Sequence, residues 1–139
     1  MLAPMIRALR WAATVPAFCA GVALGAACAL ALLHGLDGLC PPELMVSGAC
    51  TAPWHPAAVI AALTLASAIA ALAALLGVRA VCPGQRLRVL TVAWAVGSVY
   101  AAAAWFEVGA DFTGPALAAI GSGAWLVARE RQHATPVAR

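Results

Sequence analysis

Charged side chains are scarce in this chain of 139 residues: they make up 9% of it, against roughly 25% in a soluble domain. Hydrophobic residues make up 65%, where about 45–50% is usual. A soluble domain of this size needs a polar surface that such a composition cannot supply. The solvent this composition fits is lipid. Lysine and asparagine are absent altogether, so all eight basic side chains are arginine, while alanine occurs 38 times. That bias is the mark of a GC-rich bacterial genome and carries no function. The net charge of +3 does not point to nucleic acid, because the arginines stand at the ends of apolar segments, where they set membrane topology. The length suits one membrane domain, residues 1–139.

Ionisable groups are also missing from the middle of the apolar runs. Such groups are costly inside a bilayer and usually functional. Their absence counts against a proton-coupled transporter, which needs a protonatable group in its pathway. It counts equally against a haem clamped between histidines on facing helices. No catalytic motif, internal repeat or polar stripe along a helix is visible, and no cofactor is implied. The polar groups inside the runs are hydroxyls: Thr14, Thr64, Ser67, Thr91, Ser98, Tyr100 and Ser122. Helical Ser and Thr most often bond back to the preceding turn, so these read as packing residues.

Four charge-free windows are present: Trp11–Leu36, Leu44–Val78, Val89–Phe106 and Phe112–Ala128. About 20 apolar residues cross the hydrocarbon core as a helix. The expected fold is all-α, a four-helix transmembrane bundle running up-down-up-down. Its helices cover about 12–34, 57–79, 88–108 and 114–131, with an outer loop at 35–56. The fourth window is the weakest, since Gly121, Ser122 and Gly123 dilute it. Pro115 suits the first turn of that helix, with Thr113 as its cap. Pro16 marks a kink or first turn, leaving residues 2–10 as an interfacial arm. Leu2, Met5, Ile6 and Leu9 would share one face of this arm, with Arg7 and Arg10 off it. The first apolar run is too long for a secretory leader, so cleavage is not expected.

Charge sorting supports four spans. Arg7, Arg10, Arg79, Arg86, Arg88, Arg129, Arg131 and Arg139 all fall on one side. Asp37, Glu43, Glu107 and Asp111 fall on the other. The positive-inside rule then places both termini in the cytoplasm of a bacterial inner membrane. Trp54 and Trp105 would belong to the outer aromatic belt and Trp11 and Trp125 to the inner one, whereas Trp94 fits neither.

Lipid tails are as apolar as leucine, so such helices associate by close packing through small residues. Gly21 and Gly25 form a GxxxG pair in the first helix, and Cys28 shares its face. Ala58, Ala62, Ala66, Ala70 and Ala74 form a four-spaced ridge on the second, and Ala93, Gly97 and Ala101 one on the third. The fourth offers Gly114, Ala118 and Ser122.

Cys19 and Cys28 fall on opposite faces of one helix and cannot pair, and Cys82 lies in a cytoplasmic loop, where thiols stay reduced. Cys40 and Cys50 lie outside, where oxidation is normal, and are expected to form a disulfide. Pro41-Pro42-Glu43 would open a helical turn over Glu43–Val46 inside that ring, with Gly48 ending it. Two sharper readings stand beside the structural one. A redox pair would normally be Cys-x-x-Cys, not two cysteines with nine residues between them. A metal site could draw on His34, Glu43 and His55 with the two cysteines, but their spacing matches no recurrent zinc pattern.

The expected function is a non-catalytic accessory or assembly subunit of a larger membrane complex, with lipid and a membrane-protein partner or a second copy as its contacts. The alternatives are a small homo-oligomeric transporter or channel component, and an envelope redox or metal-handling protein using Cys40 and Cys50.

Overall fold

A computed structural model describes residues 2–82 and 85–134, the side chains of residues 2–4, 7 and 134 excepted. The structure is mostly helical, a form in which an apolar backbone satisfies its own hydrogen bonds. Helix α1 covers Leu2–Ala12, α2 Thr14–Gly38, α3 His55–Val81, α4 Arg86–Val108 and α5 Thr113–Ala134. Among the described residues, three stretches are long and apolar enough to cross a membrane: Ala8–Gly38, His55–Val81 and Arg86–Val108.

Helix α1 runs into α2 with a break only at Ala13. Backbone hydrogen bonds carry through the junction, from Ala13 N to Leu9 O at 3.0 Å and from Ala17 N to Ala13 O at 3.1 Å. Pro16 explains the break, because it has no N–H to offer the Ala12 carbonyl one turn back. Met5, Ile6 and Leu9 of α1 are exposed; the side chains of Leu2 and Arg7, assigned to opposite faces above, lie outside the described residues.

Helix α2 packs against α3, α3 against α5, and α5 against α4, with a smaller direct contact between α3 and α4. The C-terminal helix therefore sits between two earlier ones. Its modest apolarity follows from that place, since small residues suit a helix that meets protein on two sides. Gly114 abuts Thr64 and Ile60 of α3, and Gly123 abuts Leu75 of α3 and Trp94 of α4. Pro115 lies buried in the first turn of α5. Arg79 of α3 pairs with Glu130 of α5 at 3.0 Å, bringing the C-terminal ends of these two helices together.

The core gathers toward that end. Leu75, Val78, Leu90, Leu126 and Val127 form a buried cluster, with Phe18, Leu87, Val89, Ala93 and Trp94 packed around it. No charged or polar residue is buried among the described residues. Thr64, Thr91 and Ser122 bond back along their own helices, to Ile60 O, Leu87 O and Ala119 O, and Thr14 bonds back across the α1–α2 junction to Arg10 O. The Ser98 Oγ is enclosed without a hydrogen-bond partner among the described residues.

Two local expectations are corrected. Thr113 does not cap α5 from outside. It stands in αR geometry at the start of the helix, and its hydroxyl accepts from Trp105 Nε1 at 2.9 Å. The Pro41-Pro42 turn is a short 3-10 turn over Pro42–Leu44, and the chain is extended by Met45. Trp94, which fits neither aromatic belt, turns its indole onto α5.

Candidate functional site

Two features hold the residues that sequence singled out: a stapled cap over the α2–α3 hairpin, and the seam between these helices.

The cap begins where α2 ends at Gly38. After the 3-10 turn, strand β1 (Met45–Val46) pairs antiparallel with β2 (Ala49–Cys50), Met45 opposite Cys50 and Val46 opposite Ala49. Ser47 and Gly48 make the two-residue turn, with φ of 52° and 82°. Positive φ at both central positions belongs to the type I′ turn, whose twist matches paired strands. Glycine accepts it freely, and serine at some cost. Cys40 and Cys50 are joined by a disulfide across a Cα separation of 6.0 Å. Thr51 closes the ring, its N–H and hydroxyl both donating to Leu44 O, at 2.9 and 2.8 Å. The cap is thus fixed by a covalent bond, a turn and a forked hydrogen bond. Leu39, Met45, Val46 and Trp54 remain exposed on it.

Below the cap, Asp37 near the end of α2 meets His55 at the start of α3, Oδ1 to Nε2, at 3.1 Å. This contact gives His55 a partner within the hairpin. His34 is exposed on α2 and Glu43 is exposed in the 3-10 turn. No three His, Cys, Asp or Glu side chains gather as a metal-holding group among the described residues. The structure therefore does not bring His34, Glu43 and His55 together. Both loop cysteine sulfurs are committed to each other.

The seam is built from small residues. A methyl group on Gly21 would run into the backbone of Ala73 and Ala74, and one on Gly25 into Ala70 and the Ala66 carbonyl. Lower down, Gly77 of α3 faces Ala17 of α2. Each step toward the cap along α2 is matched by a step of similar size back along α3, as antiparallel packing requires. Gly21 and Gly25 are the buried residues of α2, and Ala62, Ala66 and Ala74 are buried on α3. Gly97 departs from this pattern. A methyl group there would meet nothing within 4 Å among the described residues, so the α4 ridge is not closely packed at its centre. Its neighbours differ: Ala93 packs on the core and Ala101 is buried.

Gly77 and Gly123 are close-approach positions that spacing did not single out. Gly77 lies three residues after the buried Ala74 and off the four-spaced ridge, whose next position is the buried Val78. Gly123 carries no spacing signal either, because its partner is an indole rather than another small residue. Of the remaining cysteines, Cys19 is exposed, Cys28 part-buried and Cys82 buried. No known protein family, curated protein or solved structure matches this chain.

Proposed function

We propose that the chain is a multi-pass bacterial inner-membrane protein of four spans, both termini cytoplasmic, acting as a non-catalytic accessory or assembly subunit. The observation that carries this reading is the distribution of polar chemistry. Ionisable groups stand at helix ends, and no charged side chain is buried among the described residues. What the helices offer their surroundings is apolar surface, and what the outer end offers is a rigid cap. Such a molecule has surfaces for docking and little with which to perform chemistry.

Arg79, Arg86, Arg88, Arg129 and Arg131 lie near the ends of α3, α4 and α5 that adjoin the core cluster. The positive-inside rule would put that end in the cytoplasm and the cap outside. The fourth span in this reading is α5. Its 22 residues extend about 33 Å, and its pairing with Arg79 supports a course alongside α3. Crosslinking in membranes followed by mild-detergent co-purification and mass spectrometry tests the role. Recovery of one stoichiometric membrane partner supports it, and recovery of the chain as a lone monomer sinks it.

Self-association is the second reading, favoured by α4. Tyr100 is 77% exposed there, alongside Val92, Val96 and Val99. A hydroxyl about 12 Å inside the helix end is poorly served by lipid. A second copy would appear in the same experiment as a homo-oligomer of fixed size.

A further inference from the structure

We propose that α1 is a hinged amphipathic foot that lies on the cytoplasmic membrane surface and selects anionic phospholipid. This inference rests on the reading that α2 spans the membrane with its N-terminal end inside.

The argument begins with length. Helix α2 alone has 25 residues, about 38 Å, enough for the roughly 30 Å hydrocarbon core. The 11 residues of α1 are therefore surplus to crossing. A straight continuation would carry them off the end of the span into water. That is a poor place for them, because Leu9 is 72% exposed and Met5 and Ile6 are exposed beside it. Positions 5, 6 and 9 fall on one side of a helix. Helix α1 meets the described residues chiefly through the adjoining start of α2, and Met5, Ile6 and Leu9 are left uncovered among them.

The junction allows a bend. Pro16 removes one hydrogen bond of the helical ladder at Ala12, and Ala13 already departs from regular helix. Pivoting there lays α1 in the plane of the headgroups, with Met5, Ile6 and Leu9 in the acyl boundary.

Charge names the lipid. Helix α1 contains Arg7 and Arg10 and no acidic residue. Each arginine near an anionic surface favours docking about five-fold, so the pair favours it roughly 30-fold over a zwitterionic surface. Undocked, a helix of this length is marginal in water and frays.

The test is hydrogen exchange by mass spectrometry on the full chain in nanodiscs. One set contains phosphatidylcholine alone, and the other an equal share of phosphatidylglycerol. The expected result is that amides of residues 6–12 exchange roughly 30-fold more slowly in the anionic discs. The double substitution R7Q/R10Q should abolish the difference, while amides of residues 18–34 stay protected in both lipids. Equal exchange of α1 in the two lipids, whether fast or slow, overturns the proposal. So does protection that survives R7Q/R10Q. Fast exchange across residues 18–34 would instead remove the spanning reading on which the proposal stands.

Discussion

The indole Nε1 of Trp94 donates to the Ile120 carbonyl at 3.1 Å, joining α4 to α5 across a notch left by Gly123. A polar aromatic inside an apolar helix is thereby given a partner, and a glycine inside another helix a reason. The two positions should respond differently to substitution. Trp94→Phe keeps most of the ring and loses one interhelical hydrogen bond, at a cost of about 0.6 kcal/mol. Gly123→Val drives a branched side chain into Trp94 and Leu75 and should cost about 1–3 kcal/mol. Unfolding of the purified protein in mild detergent against SDS measures both, and a larger loss for Trp94→Phe would contradict this geometry.

The seam between α2 and α3 is limited by backbone, not by movable side chains. Even Gly21→Ala should therefore destabilise, and Gly21→Leu and Gly25→Leu should disrupt the hairpin. Val22→Leu, on an exposed face, should be tolerated. Gly97→Ala has open space and should be neutral or stabilising, by up to about 1 kcal/mol from helix propensity. The same detergent assay ranks all five variants.

Ser98 gives a prediction of opposite sign. Its enclosed Oγ has no partner among the described residues, and a buried unsatisfied hydroxyl costs about 1–3 kcal/mol. Ser98→Ala should be stabilising or neutral in thermal unfolding, and a loss of stability would mean that the hydroxyl is in use.

For the cap, maleimide labelling of denatured, unreduced protein should modify Cys19, Cys28 and Cys82 and spare Cys40 and Cys50. After reduction all five should react. Replacing both cap cysteines with serine should lower stability by roughly 2–3 kcal/mol for so short a ring, read by the same unfolding assay.

Topology is open to a direct measurement. Reporter fusions at Ser47 and Ala110 should read as periplasmic, and those at Gly84 and Ala138 as cytoplasmic. A periplasmic C-terminus would rule out four spans.

Apolar windows and prolines mark where these helices lie more clearly than where they stop. The second window was expected to be helical over 57–79, and α3 covers His55–Val81; the fourth was expected over 114–131, and α5 covers Thr113–Ala134. Helices continue through charged ends because Arg79 and Glu130 pair with each other. The cysteine spacing also made the cap's staple legible, though not the short hairpin inside it. What composition hides is which side of a helix meets protein. Lipid is as apolar as a core, so no periodicity separates the two. Gly97 and Gly123 illustrate this, since one four-spaced glycine faces open space while an apparent weakness of the last helix receives a tryptophan.

The place of α5 bears on how the protein is made. Synthesis proceeds from the N-terminus, so the α2–α3 hairpin can close along its glycine seam while later residues are still being added. Helix α4 emerges next but touches α3 little, and most of what joins the two is α5. Until α5 has been made, Trp94 has no carbonyl to bind and Leu75 lacks much of its packing. The last helix must then enter between two already in place, as a keystone does. A chain shortened before Thr113 would leave α4 held only by its smaller contact with α3, with the core face it shares with α5 uncovered.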